Sequence, residues 1–157
     1  MVGLNEEKIE FREIDTGDSL LVKELHAILF PATYGFMYCR KILRRETGCV
    51  CVLVYAGAQC VGIMTTRRDG DSVYITGLGI VRSYRRRGVG RECLGFLLEK
   101  TEWAVGYALH TEKENTAAVL FYKKFGASVE GTVCGYYGPG RDAVLLTVSR
   151  EVLLSSF

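Results

Sequence analysis

"SVYITGLGIVRSYRRRGVGRECLGFLLEK", residues 72–100, carries three patterns in one run. It begins with SVYITGLGIV, whose β-branched and aromatic residues read as a strand. It passes through a loop in which Arg82, Arg85, Arg86, Arg87 and Arg91 surround Gly88 and Gly90. It ends in a helix that opens near Gly88 and lines up Leu94, Leu97, Leu98 and Thr101 on one face. A helix N-terminus presents unpaired N–H groups and about half a unit of positive charge, so phosphate suits it. Glycines at 88 and 90 let backbone approach an anion with no Cβ between them, and arginine adds charge-assisted contacts. Strand, loop and helix together point to one bound pyrophosphate.

Two other phosphate loops fail against the same letters. GVGREC has the GxG of a dinucleotide fold, but Cys93 stands where a third small residue is needed. The GxxxxGK[ST] of a P-loop is absent.

Upstream, CVCVLVY and CVGIMTTR precede SVYITGLGIV with AGAQ and RDGD between them, which predicts a three-strand meander. Before it, KIEFREI (residues 8–14) reads as a first strand. TGDSLLVKELHAILF then reads as a helix capped by Asp18 or Ser19, with Leu21, Leu25, Ile28 and Leu29 on one face. Pro31 ends it, and a second helix is predicted through Phe36, Tyr38, Cys39, Ile42 and Leu43 to a stop near Gly48. Downstream, VGYALHT is a strand and TAAVLFYKKF a helix; ASVEGTV and AVLLTVSR form a closing pair around YYGPGR. The predicted class is α+β: a central mixed, mostly antiparallel sheet of about seven strands with about four helices, in one domain over residues 1–157.

Composition narrows the function. The formal net charge of +2 makes the arginines a local concentration, which argues against a nucleic-acid binder. Hydrophobic residues are 48% and charged residues 24%, the balance of a folded soluble chain. Six cysteines without CxxC spacing, beside two histidines, argue against a metal site. The absence of a signal-like N-terminal segment or of a run of about 20 apolar residues leads to the expectation of a reduced, cytoplasmic protein with no membrane partner.

Arg85-Arg86-Arg87-Gly88-Val89-Gly90 resembles the [RQ]xxGx[GA] loop of the GNAT N-acetyltransferases, and ENTAAVLFYKKFGA (residues 114–127) resembles that family's second cofactor helix. The resemblance spans roughly residues 8–150. It implies the GNAT fold, splayed between strands 4 and 5, with acetyl-CoA in the opening and coenzyme A as product. Its pyrophosphate would sit on Arg85 to Gly90. Its pantetheine arm would run along Leu78, Gly79 and Ile80, with the Leu78 N–H facing the acetyl carbonyl. Gly77-Leu78-Gly79 reads as a bulged segment on the same grounds. Asn115 would bond pantetheine or cap its helix, and Tyr122 would position the thioester or protonate the thiolate, positioning being the stronger reading.

FPATY, VYITGLGIVRSYRRRGVG, ALHT and GYYGPG together resemble the NatE-type catalytic subunits among protein N-terminal α-acetyltransferases. That implies Tyr74 and His110 as a catalytic pair holding a proton-accepting water, and direct transfer in a ternary complex. Phe30, Pro31, Ala32, Tyr34, Thr76, Tyr136 and Tyr137 would wall the entrance for a peptide or protein N-terminus, with methionine the first residue that the resemblance implies. Thr76 stands where the branch has a larger apolar residue, and Gly138-Pro139-Gly140 where it has a basic turn. The resemblance also allows an auxiliary subunit or ribosome-associated complex and a nuclear pool. Two alternatives stay open: a lysine or small-amine (polyamine-like) acetyltransferase, and an inactive acetyl-CoA-binding module.

Overall fold

The computed structural model describes residues 7–30 and 49–157. The second helix predicted after Pro31 lies outside them, as do Pro31, Ala32 and Tyr34 themselves.

Strand β1 (Ile9–Glu13) leads to helix α1 (Ser19–Leu29), and the predicted meander follows as β2 (Cys51–Ala56), β3 (Gln59–Asp69) and β4 (Ser72–Ile80). Gly57 (φ 56) and Gly70 (φ 63) make its two reversals in a left-handed backbone that other residues resist. Then come α2 (Val89–Lys100), β5 (Gly106–Glu112), α3 (Thr116–Lys124), β6 (Ser128–Val133), β7 (Ala143–Ser149) and α4 (Arg150–Leu154). The sheet order is β1-β2-β3-β4-β5-β7-β6, antiparallel throughout except for the parallel β4–β5 pair. This is the expected seven-stranded mixed sheet.

Strand alternation sends Val52, Val54 and Ala56 into one core and Cys51 and Leu53 into the other. Strand β2 therefore reads as a continuous apolar run because both its faces are covered. Helix α2 packs Val89, Cys93, Leu94, Leu97 and Leu98 on the first face; α1 packs Val22 and Leu25 on the second. Each such leucine contributes about 1.5–3 kcal/mol of burial.

Three local details depart from the sequence reading. Asp18 does stand before α1, but its carboxylate takes Arg12 (2.7 and 3.1 Å) and the Asp15 N–H (2.9 Å) instead of capping the helix. The last strand stops at Ser149, whose hydroxyl accepts from the Val152 N–H (3.2 Å) and starts α4, a helix the pattern did not predict. The bulge in β4 falls at Thr76: Thr65 faces Gly77 and Thr66 faces Ile75, so Thr76 is the extra residue. Gly77, Leu78 and Gly79 pair regularly with β3.

The two glycines serve packing instead. A Cβ on Gly79 would lie 2.8 Å from the Phe30 ring and 2.9 Å from Leu29, so only bare backbone seats the end of α1 there. No described helix is long and apolar enough to cross a membrane.

Candidate functional site

Strands β4 and β5 register at two positions, Val73 with Tyr107 and Tyr74 with Ala108, and then part. From Ile75 to Ile80, β4 keeps β3 on one edge while its other edge opens on a cleft of about 760 Å³. Residues 75–80 and 109–112 form its walls, and the first turns of α2 and α3 close its wide end.

At the wide end, Gly88 caps α2 with φ +82 and open space around it. The first intrahelical N–H bond is from Glu92 to the Gly88 carbonyl (3.1 Å), so the N–H groups before it have no helical acceptor. Those free N–H groups could receive an anion. Gly90 does a second job: a Cβ there would meet the Phe121 ring at 2.9 Å, so it lets α2 and α3 close on each other. Val89 is buried under the same turn.

The arginines divide. Arg85 and Arg86 line the cleft, Arg85 steadied by its Nε donating to the Ile80 carbonyl (2.8 Å) and Arg86 in a left-handed conformation (φ 61). Arg87 is absent from the lining and lies over the Tyr84 ring, 4.8 Å from its centroid. Asn115 caps α3 by accepting the Ala118 N–H (3.2 Å) and also faces the cleft. Tyr122 is buried in the cleft wall; burial first, and neighbouring Cys93 second, push its pKa well above the ordinary phenol range. It is a neutral hydroxyl at any working pH.

At the narrow end, the Tyr74 hydroxyl lies 2.6 Å from Nδ1 of His110. Burial raises the Tyr74 pKa, Tyr136 and Tyr137 raise it further, and His110 opposes them. Burial lowers the His110 pKa. Both groups are therefore neutral near pH 7, and one proton is shared along their contact, on the phenol or on Nδ1. Arg67 sits 4.4 Å from the Tyr74 ring centroid. Tyr136 stacks on His110 (4.6 Å, 13°), and Tyr137 meets Tyr136 edge-on (4.8 Å, 76°).

Phe30, Thr76, Leu78, Gly79, Ile80, His110 and Tyr137 all line the cleft. Tyr74 and Tyr136 reach it through His110. Thr76 donates its hydroxyl to that of Thr65 (2.9 Å), which puts a polar contact in the wall near Phe30. Sequence reasoning missed Glu112 and Arg141, an ion pair in the same lining, and Arg67. Glu112 was detectable, since it lies two residues beyond His110 and so on the same strand face. Arg141 arrives by a loop folding back, which no spacing reveals. Among the described residues, no group of three His, Cys, Asp or Glu side chains could hold a metal ion.

Such a cleft can seat a phosphate-bearing ligand at its wide end and present a neutral proton-accepting pair at its narrow end. Comparison with known proteins agrees in outline. The Acetyltransferase (GNAT) family pattern matches residues 17–127. N-alpha-acetyltransferase 50 of Danio rerio is 30% identical over 137 residues, 83% of this chain and 80% of that protein. The probable N-acetyltransferase san of Drosophila melanogaster is 29% identical over 136 residues, 82% of this chain and 73% of that one. Among solved structures, Arabidopsis thaliana Naa50 in complex with the bisubstrate analogue CoA-Ac-MVNAL superposes with a TM-score of 0.76. It is 28% identical, covering 90% of this chain and 98% of that one.

Proposed function

Because the chain belongs to the GNAT acetyltransferase family, we propose that it acetylates the α-amine of protein or peptide N-termini with acetyl-CoA, Met-starting termini among them. The observation that carries this reading is the neutral Tyr74–His110 pair, set where β4 and β5 fork. Two similarities support it: relatives named for N-alpha-acetyl transfer, and a relative whose bisubstrate analogue joins CoA and acetyl to a peptide beginning with M.

The residues present fit acetyl-CoA. The left-handed Gly88, the open first turn of α2 and the cleft-lining Arg85 and Arg86 suit its pyrophosphate. The edge of β4 turned away from β3 offers backbone groups at Leu78 and the N–H of Ile80, either side of Gly79, to an extended amide arm. Asn115 and Tyr122 face that arm, and Tyr122, held neutral, can lie beside a sulfur without repelling a thiolate. When bound, acetyl-CoA supplies an acetyl carbonyl activated by its thioester.

The chain's own residues deal with the amine. An α-amine has a pKa of about 8, against about 10.4 for lysine, so a useful fraction is already neutral near pH 7. The rest must lose one proton. His110 and Tyr74, both uncharged, hold a water that takes it. Phe30, Thr76 and Tyr137 line the cleft where the first residue would sit, and Tyr136 backs His110 beside them.

The test is to offer acetyl-CoA with Met-starting peptides, their N-blocked forms, internal-lysine peptides and polyamines, and to locate the acetyl group by mass. Acetyl on free N-termini alone is the expected result. Transfer only to lysine or polyamine overturns the acceptor assignment; binding of acetyl-CoA with no transfer overturns catalysis.

A further inference from the structure

We infer that the Glu112–Arg141 ion pair is a positioning clamp, which fixes the loop carrying Tyr136 and Tyr137 and so holds His110 in its working orientation. The loop, residues 134–142, has three glycines at positive φ, Gly135 (65), Gly138 (125) and Gly140 (71). Such a segment has little stiffness of its own. Internal bonds fold it: the Gly135 N–H to the Asp142 carboxylate (2.9 Å), Gly138 N–H to Gly135 carbonyl (3.1 Å) and Tyr137 N–H to Arg141 carbonyl (3.1 Å). None of these says where the folded loop sits over β5.

Side chains decide that. Tyr136 lies on His110, and the Arg141 guanidinium grips Glu112, with Nε 3.4 Å from Oε2 and Nη2 against Oε1. His110 and Glu112 are alternate residues of β5 and share a face. Tyr136 and Arg141 are five residues apart on one loop, and the Lys113 N–H donates to the Asp142 carbonyl (2.9 Å) beside them. The two side-chain contacts therefore fix two points of the loop against two points of one strand. The ionic contact is half-buried, with about one third of each side chain exposed, where a two-pronged charge-assisted pair holds direction as well as distance. Arg141 also passes 5.9 Å from the Tyr137 ring. Loosen the ion pair, and the Tyr136 ring slides on His110.

The chain has two histidines, so their ring resonances can be assigned by comparison with a His26 or His110 variant. In wild type the His110 ring proton should be shifted by the current of the stacked Tyr136 ring. Glu112→Gln and Arg141→Gln should each move it toward the unstacked position, Arg141→Lys part of the way, and the exchange Glu112→Arg with Arg141→Glu should bring it back. In parallel, each single variant should lose about tenfold or more in kcat on an N-terminal peptide, the scale expected when a partly buried charge loses its partner, with acetyl-CoA affinity within about twofold and the exchange recovering most of the loss. An unmoved His110 resonance in folded single variants overturns the clamp, as does an exchange variant that folds and recovers neither readout. The kinetic arm rests on the proposed acceptor; the resonance arm does not. If wild type acetylates no N-terminus yet the resonance behaves as described, the acceptor reading falls and the clamp stands.

Discussion

The hydroxyl of Tyr74 and Nδ1 of His110 meet at 2.6 Å, Tyr74 at the last register of β4 with β5 and His110 two residues past its partner Ala108. The sheet brings the two groups together where the strands fork and the cleft opens. Neither side chain would be placed so well by its own strand alone.

Removing either partner should therefore reduce chemistry more than binding. Tyr74→Phe and His110→Ala are expected to lower kcat by about 10²-fold or more, the range for positioned proton transfer. Acetyl-CoA affinity, measured by calorimetry, should hardly change, because the proposed pyrophosphate site around Gly88 lies at the other end of the cleft.

The pH dependence follows from the direction of the His110 shift. Burial lowers its pKa from 6.5, so the folded protein keeps the imidazole neutral to a more acidic pH. In kcat/KM the free α-amine should give a limb near pH 8, and His110 a second limb below about 6.5. The lower limb should vanish in His110→Ala. The same sign makes folding stability fall as pH drops below about 6.5, where the unfolded state binds a proton that the folded state refuses. His26, also lowered by burial, adds to that loss, which thermal melts across pH 5–7 would measure.

The two glycines of the arginine loop should fail differently. Gly88→Ala meets no neighbour but must hold φ +82, a strain of about 1–2 kcal/mol. Gly90→Ala forces a Cβ against Phe121 at 2.9 Å, an overpacking cost of about 1–3 kcal/mol that pushes α2 and α3 apart. Gly88→Asn should recover part of the first loss, since asparagine tolerates the left-handed region, and no such exchange should rescue position 90. Denaturant titration and acetyl-CoA titration would separate the two.

Arg150 closes the far end of α2. Its guanidinium donates to the carbonyls of Leu98 (3.0 Å) and Thr101 (2.8 Å) and to the Tyr107 hydroxyl (3.0 Å). Arg150→Met should destabilise the fold by about 1–3 kcal/mol in a thermal melt, because half-buried acceptors lose a charged donor. Arg150→Lys should recover little, since one ammonium cannot span three acceptors in the plane of a fork.

Strand and helix periods are local, so the meander, α2 and α3 were legible in the letters, and so was the strand–glycine–helix junction at Gly88, whose parts are neighbours in sequence. Resemblance supplied Tyr74 and His110, but their contact depends on the register of two strands more than thirty residues apart, which no spacing encodes. The tertiary structure alone decided that Gly77 and Gly79 seat Phe30, that the bulge falls on Thr76, that Arg87 turns to Tyr84, and that Arg141 reaches Glu112. Apart from Arg87 on Tyr84, three residues away, each of these depends on the meeting of segments far apart in the chain. Sequence fixes which groups are available and on which face of an element they lie; only packing of the elements determines which of them touch.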